Sequence, residues 1–88
     1  MKEFKYKTLF AVTVLTVINL GFQSQFGHNE NLIGFENRYG NKIYVECKED
    51  CVVISAYKVS RRCLNSIIKD ESEIDAVVEK LKTLVKCQ

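Results

Sequence analysis

Apolar positions divide the chain into three kinds of stretch, and each kind predicts a different element. The first is an unbroken block. Thr8 to Gly27 carries no charged residue, and its apolar heart is the fourteen residues from Leu9 to Phe22. The second is alternation. In Lys42–Cys47 (KIYVEC), Ile43, Val45 and Cys47 share one side and Lys42, Tyr44 and Glu46 the other, which is the period of a strand. The third is a helical stripe, with Ile74, Val77, Val78, Leu81, Leu84 and Val85 at i, i+3, i+4, i+7, i+10 and i+11.

The C-terminal stripe is flanked by matching charge. Glu71, Glu73 and Asp75 crowd its start and Lys80, Lys82 and Lys86 its end, each at the helix pole that favours it. Asp70 or Ser72 can cap it, and Ser72 with Asp75 resembles a capping box with the shorter acid. Upstream, Leu32–Asn37 reads as a strand and Arg38-Tyr39-Gly40-Asn41 as a turn, giving a hairpin with Lys42–Cys47. Lys48-Glu49-Asp50 reads as a second tight turn. Cys51–Val59 follows, and two readings compete for it. Val52, Ala56, Val59, Cys63 and Ile67 form an acceptable helical stripe, but four of the nine residues are Val or Ile, which favours a strand. Ser60-Arg61-Arg62 is then a turn and Cys63–Lys69 a short last strand. The predicted fold is α+β: a small antiparallel meander of three or four strands with one C-terminal amphipathic helix packed on it, preceded by a signal or anchor segment.

The uncharged block bears on location. Lys2, Lys5 and Lys7, against Glu3 alone, precede it. Basic residues before about fourteen apolar ones have the form of a signal peptide, whereas a membrane span usually needs about twenty. No A-x-A cleavage site is present, so an uncleaved anchor competes, and a buried N-terminal helix is a third reading. The first two place the remaining chain outside the cytoplasm, either secreted or held by a single-pass span with its N-terminus inside. The expected organisation is residues 1–24 as signal peptide or signal anchor, 25–31 as linker and 32–88 as a disulfide-braced domain.

Charge and candidate chemistry narrow the function. The chain has 13 basic and 11 acidic residues, net +2. Without the first 24 residues, 13−3 = 10 basic and 11−1 = 10 acidic remain. A nucleic-acid partner is not expected of a neutral domain. His28, the one histidine, falls in the expected linker, and the glycines follow no phosphate-binding spacing. An enzyme, a cofactor and a metal are therefore not expected.

Cys47, Cys51, Cys63 and Cys87 allow three pairings. The predicted hairpin brings Cys47 to Cys51. A helix of about 24 Å folding back on a strand of about 20 Å brings Cys87 to Cys63. The second bridge would be worth roughly 3 kcal/mol in the chain-entropy model. The C-x3-C spacing fits no usual zinc module, and an oxidising compartment favours disulfides.

Tyr39, Tyr44 and Tyr57 (with Phe35), together with Arg61 and Arg62, form the candidate interaction surface, since tyrosine and arginine are common interface anchors. The competing reading of the aromatics is ordinary cross-strand packing. The expected function is a small extracytoplasmic binding module — a secreted effector, inhibitor or toxin-like peptide — whose partner is another protein or a membrane component. The alternative is a membrane-anchored accessory subunit with its domain outside.

Overall fold

Helix α1 (Lys2–Asn19) leads into five strands, β1 (Gln23–Asn29), β2 (Leu32–Glu36), β3 (Asn41–Cys47), β4 (Val52–Lys58) and β5 (Arg61–Ile68), and then into helix α2 (Ile74–Lys86). The computed structural model describes residues 2–29, 31–58 and 61–86. The strands form one antiparallel sheet in chain order, β1-β2-β3-β4-β5, so the architecture is an α+β meander with two helices.

Alternation sets the register. Ile43 pairs with Phe35 on one side and Ala56 on the other; Val45 pairs with Ile33 and Ile54; Cys47 pairs with Val52. Phe35, Ile43, Val45, Val52, Ile54 and Ala56 are all buried and therefore share the covered face. The β-branched run after Cys51 is strand, as its Val and Ile content favours; the helical alternative is not formed. Between β2 and β3 the side-chain oxygen of Asn37 accepts from the backbone N–H groups of Tyr39 (3.0 Å) and Asn41 (2.9 Å). Gly40 completes this turn at φ +84°, where only glycine is unstrained.

Both helices supply the same core. Leu9, Phe10, Thr13 and Val17 of α1, then Phe22, join the buried sheet residues, and so do Ile74, Val77 and Leu81 of α2. The Thr13 hydroxyl, buried in this layer, donates to Leu9 O at 2.8 Å. Gly21 at φ +101° ends α1, and Phe22 N–H donates back to Val17 O. Ahead of α2, a 3-10 turn (Glu71–Glu73) is capped by Asp70. The Glu73 carboxylate accepts from the N–H groups of Lys69 (2.8 Å) and Asp70 (2.9 Å). The capping pair is thus Asp70 with Glu73, two residues ahead of Ser72 with Asp75.

The fold departs from expectation in its first strand and in its N-terminal block. The sheet has five strands, the segment 25–31 carries β1 through Asn29 rather than a linker, and the uncharged N-terminal block forms a second helix on the sheet. An α1 layer gives the covered face of β3 and β4 its partner, since α2 lies against β5. Burying Leu9, Phe10, Val17 and Phe22 contributes about 1.5–3 kcal/mol each, together as large as the about 5–15 kcal/mol that holds a typical domain folded.

Candidate functional site

The face of the sheet away from both helices carries three cross-strand rows. Glu36, Lys42, Tyr57 and Arg62 form the first; Gly34, Tyr44, Ser55 and Asn65 the second; Leu32, Glu46, Val53 and Ile67 the third. Among the described residues no helix covers these rows, and Ile67 keeps 57% of its surface exposed. Of the sequence-predicted surface residues, Tyr44, Tyr57 and Arg62 fall in these rows. The Tyr44 and Tyr57 rings, on adjacent strands, meet edge to face with centroids 5.7 Å apart and planes at 89°. Such a pair fixes both rings and is worth about 0.5–1.5 kcal/mol beyond burial. Tyr57 is also paired in register with Arg62. Arg61 sits one step further out, opposite Lys58. Arg61 and Arg62 belong to β5 itself rather than to a turn.

Tyr39 lies in the turn between β2 and β3, at this same end of the sheet, and is 47% exposed. The Arg38 guanidinium stands 5.4 Å from its ring centroid, a cation–π contact that keeps arginine and tyrosine together at the surface. Phe35, grouped with the tyrosines in the sequence reading, is fully buried on the opposite face. In that register it is a core residue.

The charges are segregated along the strands. Arg38, Lys42, Lys58, Arg61 and Arg62 occupy the end with the β2–β3 and β4–β5 connections, with Glu36 as the acid of its row. Glu46, Glu49, Asp50, Asp70, Glu71 and Glu73 occupy the other end, interrupted by Lys48 and Lys69. Arg38, Lys42 and Lys58 escaped the sequence reading because the summed charge is near zero. The signal was available in their positions: all three flank the two turns that close one end.

The tight turn at residues 48–50 closes as expected, with Lys48 N–H donating to Cys51 O at 2.8 Å. Cys47 then faces Val52 across the hairpin rather than Cys51. Cys51 is a buried free thiol; burial pushes its pKa above the usual thiol value, and a hydrogen bond and the charge of Asp50 add to the rise. Cys63 is an exposed free thiol on β5, donating to Arg61 O at 3.5 Å. Cys87, its expected partner, lies outside the described residues, as do the side chains of His28 and its neighbours. Among the described residues no group of three His, Cys, Asp or Glu converges to hold a metal, and no helix is long and apolar enough to cross a membrane. A groove of about 330 Å³ between α1 and the end of β5 is lined by Thr8, Leu9, Lys69, Asp70 and Glu71. Of its acids, Asp70 accepts from the Ser72 hydroxyl at 3.1 Å at the start of α2, and the tyrosine–cation face is the better-developed surface.

Compared with known protein families, with curated proteins and with solved structures, the chain matches none.

Proposed function

We propose that this chain is a small binding module working outside the cytoplasm, and that it holds an acidic patch of a partner protein on the uncovered face of its sheet. The observation that carries the reading is the meeting of Tyr44 and Tyr57 on one face, with Arg62 in register and Arg38, Lys42, Lys58 and Arg61 around the same end. Aromatic rings held in place lose little entropy on binding, and a cationic rim selects an anionic partner. Location outside the cytoplasm is supported by Lys2, Lys5 and Lys7 ahead of an uncharged block and by four cysteines in a short chain; a cleaved form would have to fold from the sheet and α2 alone, since α1 carries Leu9, Phe10 and Val17 of the core.

The chain has no tryptophan, and three of its four tyrosines lie at this end, so tyrosine emission reports on the site. A short poly-glutamate peptide is expected to change that emission saturably, with weakening as salt rises, and Tyr57→Ala is expected to abolish most of the change. An unresponsive emission, or equal binding by Tyr57→Ala, overturns the site. Stronger binding to phosphatidylserine vesicles than to the peptide replaces the protein partner with a membrane surface.

The intact mass of the protein from its native host, before and after alkylation, tests the location. A shortened mass, with thiols blocked until reduction, supports a processed and disulfide-braced secreted form. Retention of the full-length chain in membranes after a high-pH wash supports the anchored subunit instead. A full-length soluble chain with reactive thiols removes both.

A further inference from the structure

The two edges of the sheet are unlike. On the β1 side, pairing with β2 breaks register twice, between Ser24 and Phe26 and between Phe26 and Asn29. Irregularity of this kind is how sheet edges are commonly kept from pairing with other chains. On the β5 side there is one shift, next to Tyr57, and from Leu64 to Ile68 the strand runs regularly against β4. That run contains no proline and no charge, and Asn65 and Ile67 are exposed along it. Asp70 is still extended, at φ −143° and ψ 145°, so the outer rail continues beyond the paired strand. An open rail of this length is a template for strand addition.

We propose that the occupant of this edge is a second copy of the chain, with β5 pairing antiparallel to β5 about a two-fold axis to give one continuous sheet. Charge complementarity selects the partner. β5 begins with Arg61 and Arg62 and is followed by Asp70 and Glu71. An antiparallel two-fold therefore sets the basic start of each copy against the acidic end of the other, twice.

Within the regular run, Ser66 on the axis matches inward- and outward-facing positions, with Leu64 opposite Ile68 and Asn65 opposite Ile67. Beyond it, the shift next to Tyr57 turns Arg62 to the open face, and the exposed side chains of Arg61 and Arg62 approach the end that carries Asp70 and Glu71. The dimer leaves Tyr44 and Tyr57 uncovered but engages Arg61 and Arg62 of the cationic rim, so self-pairing and partner binding share those two residues.

The test is sedimentation of the full chain over roughly 1 μM to 1 mM, with two single variants and their mixture. The wild type is expected to reach twice 10.1 kDa. Arg61→Glu places acid against Glu71 at both ends of the junction, and Glu71→Lys places base against Arg61; each is expected to weaken the dimer at least about tenfold. An equimolar mixture restores both attractive pairs in the heterodimer and is expected to recover the wild-type mass. Both residues are exposed, and unchanged circular dichroism keeps a folding defect from imitating dissociation. A wild type that stays at 10.1 kDa throughout overturns the proposal. Single variants that dimerise like the wild type, or a mixture no tighter than they are, overturn it equally.

Discussion

The two faces of the sheet are built from alternate residues of the same strands, yet they do opposite work. On the covered face Phe35, Ile43, Val45, Ile54 and Ala56 are closed off from water by α1 and α2. On the open face the intervening residues are tyrosines, cations and hydroxyls in rows, with Ser55 donating to Asn65 at 3.2 Å across the strands. Stability and binding therefore reside on different faces. Substitutions on the covered face should change stability at a fixed binding surface; substitutions on the open face should do the reverse.

The largest effect should come from removing one cover altogether. A chain that starts at Gln25 lacks Leu9, Phe10, Val17 and Phe22 and exposes the residues they protect. It is expected to show no cooperative thermal transition, because the lost burial rivals the whole stability of a small domain. A sharp transition in this shortened chain would mean that the sheet and α2 suffice, and would favour the cleaved, secreted form. Next in size is Phe35→Ala, which empties the most central large side chain. It should cost about 3–5 kcal/mol in denaturant unfolding. A cost below about 1 kcal/mol would contradict close packing between sheet and helices.

The covered face was largely legible in the sequence, and α1 shows where legibility ended. The α2 stripe could be read because charges fill its other side. In α1 the outward positions include Ala11, Leu15 (60% exposed) and Ile18 (45% exposed), so apolar residues surround the helix and no stripe stands out. A helix apolar on all sides looks like an export or membrane segment. Strand β1 was hidden for a different reason. Gln23–Asn29 is mostly polar, and what marks it as a strand is backbone pairing with β2, which leaves no period in side-chain type. The open face was half legible. The five predicted residues do share one end of the molecule, but the clustering of Arg38, Lys42 and Lys58 with them depends on strand direction and pairing. One-residue detail was lost at the β3–β4 turn: Cys47 and Cys51 flank it in sequence, yet the register sets Cys47 against Val52.

The rim between the faces should give an intermediate effect. Asn37 is buried at the β2–β3 turn, and Asn37→Ala removes the acceptor of two backbone N–H groups. A loss of about 1–2 kcal/mol is expected, with the Tyr39 end of the open face loosened as well. Because Nδ2 of Asn37 is buried and makes no hydrogen bond, the cost should come from the oxygen alone. Asn37→Asp, which keeps that acceptor, should therefore retain more stability than the alanine variant at neutral pH. Equal losses would show that the side-chain oxygen does not hold the turn. On the open face itself, Tyr57→Ala should change unfolding stability by no more than about 1 kcal/mol, the scale of its edge-to-face contact with Tyr44. A larger loss would make the tyrosine pair part of the fold's bracing and weaken its assignment to binding.

The smallest effect compares two thiols, one on each kind of surface. With its thiols reduced, the folded chain buries Cys51 and exposes Cys63, so Cys63 should be alkylated first. Burial, with Asp50 adding to it, holds the Cys51 proton more tightly in the folded state than in the unfolded one. Unfolding releases that proton once the pH passes the ordinary thiol value of 9.0. The stability tied to the protonated thiol is therefore intact below that pH and lost as the pH climbs above it. Wild type and Cys51→Ala, melted side by side across this range, should diverge in slope: the wild type falls more steeply. Parallel curves for wild type and Cys51→Ala would place Cys51 in water when the chain is folded, and the covered region would then end at Val52.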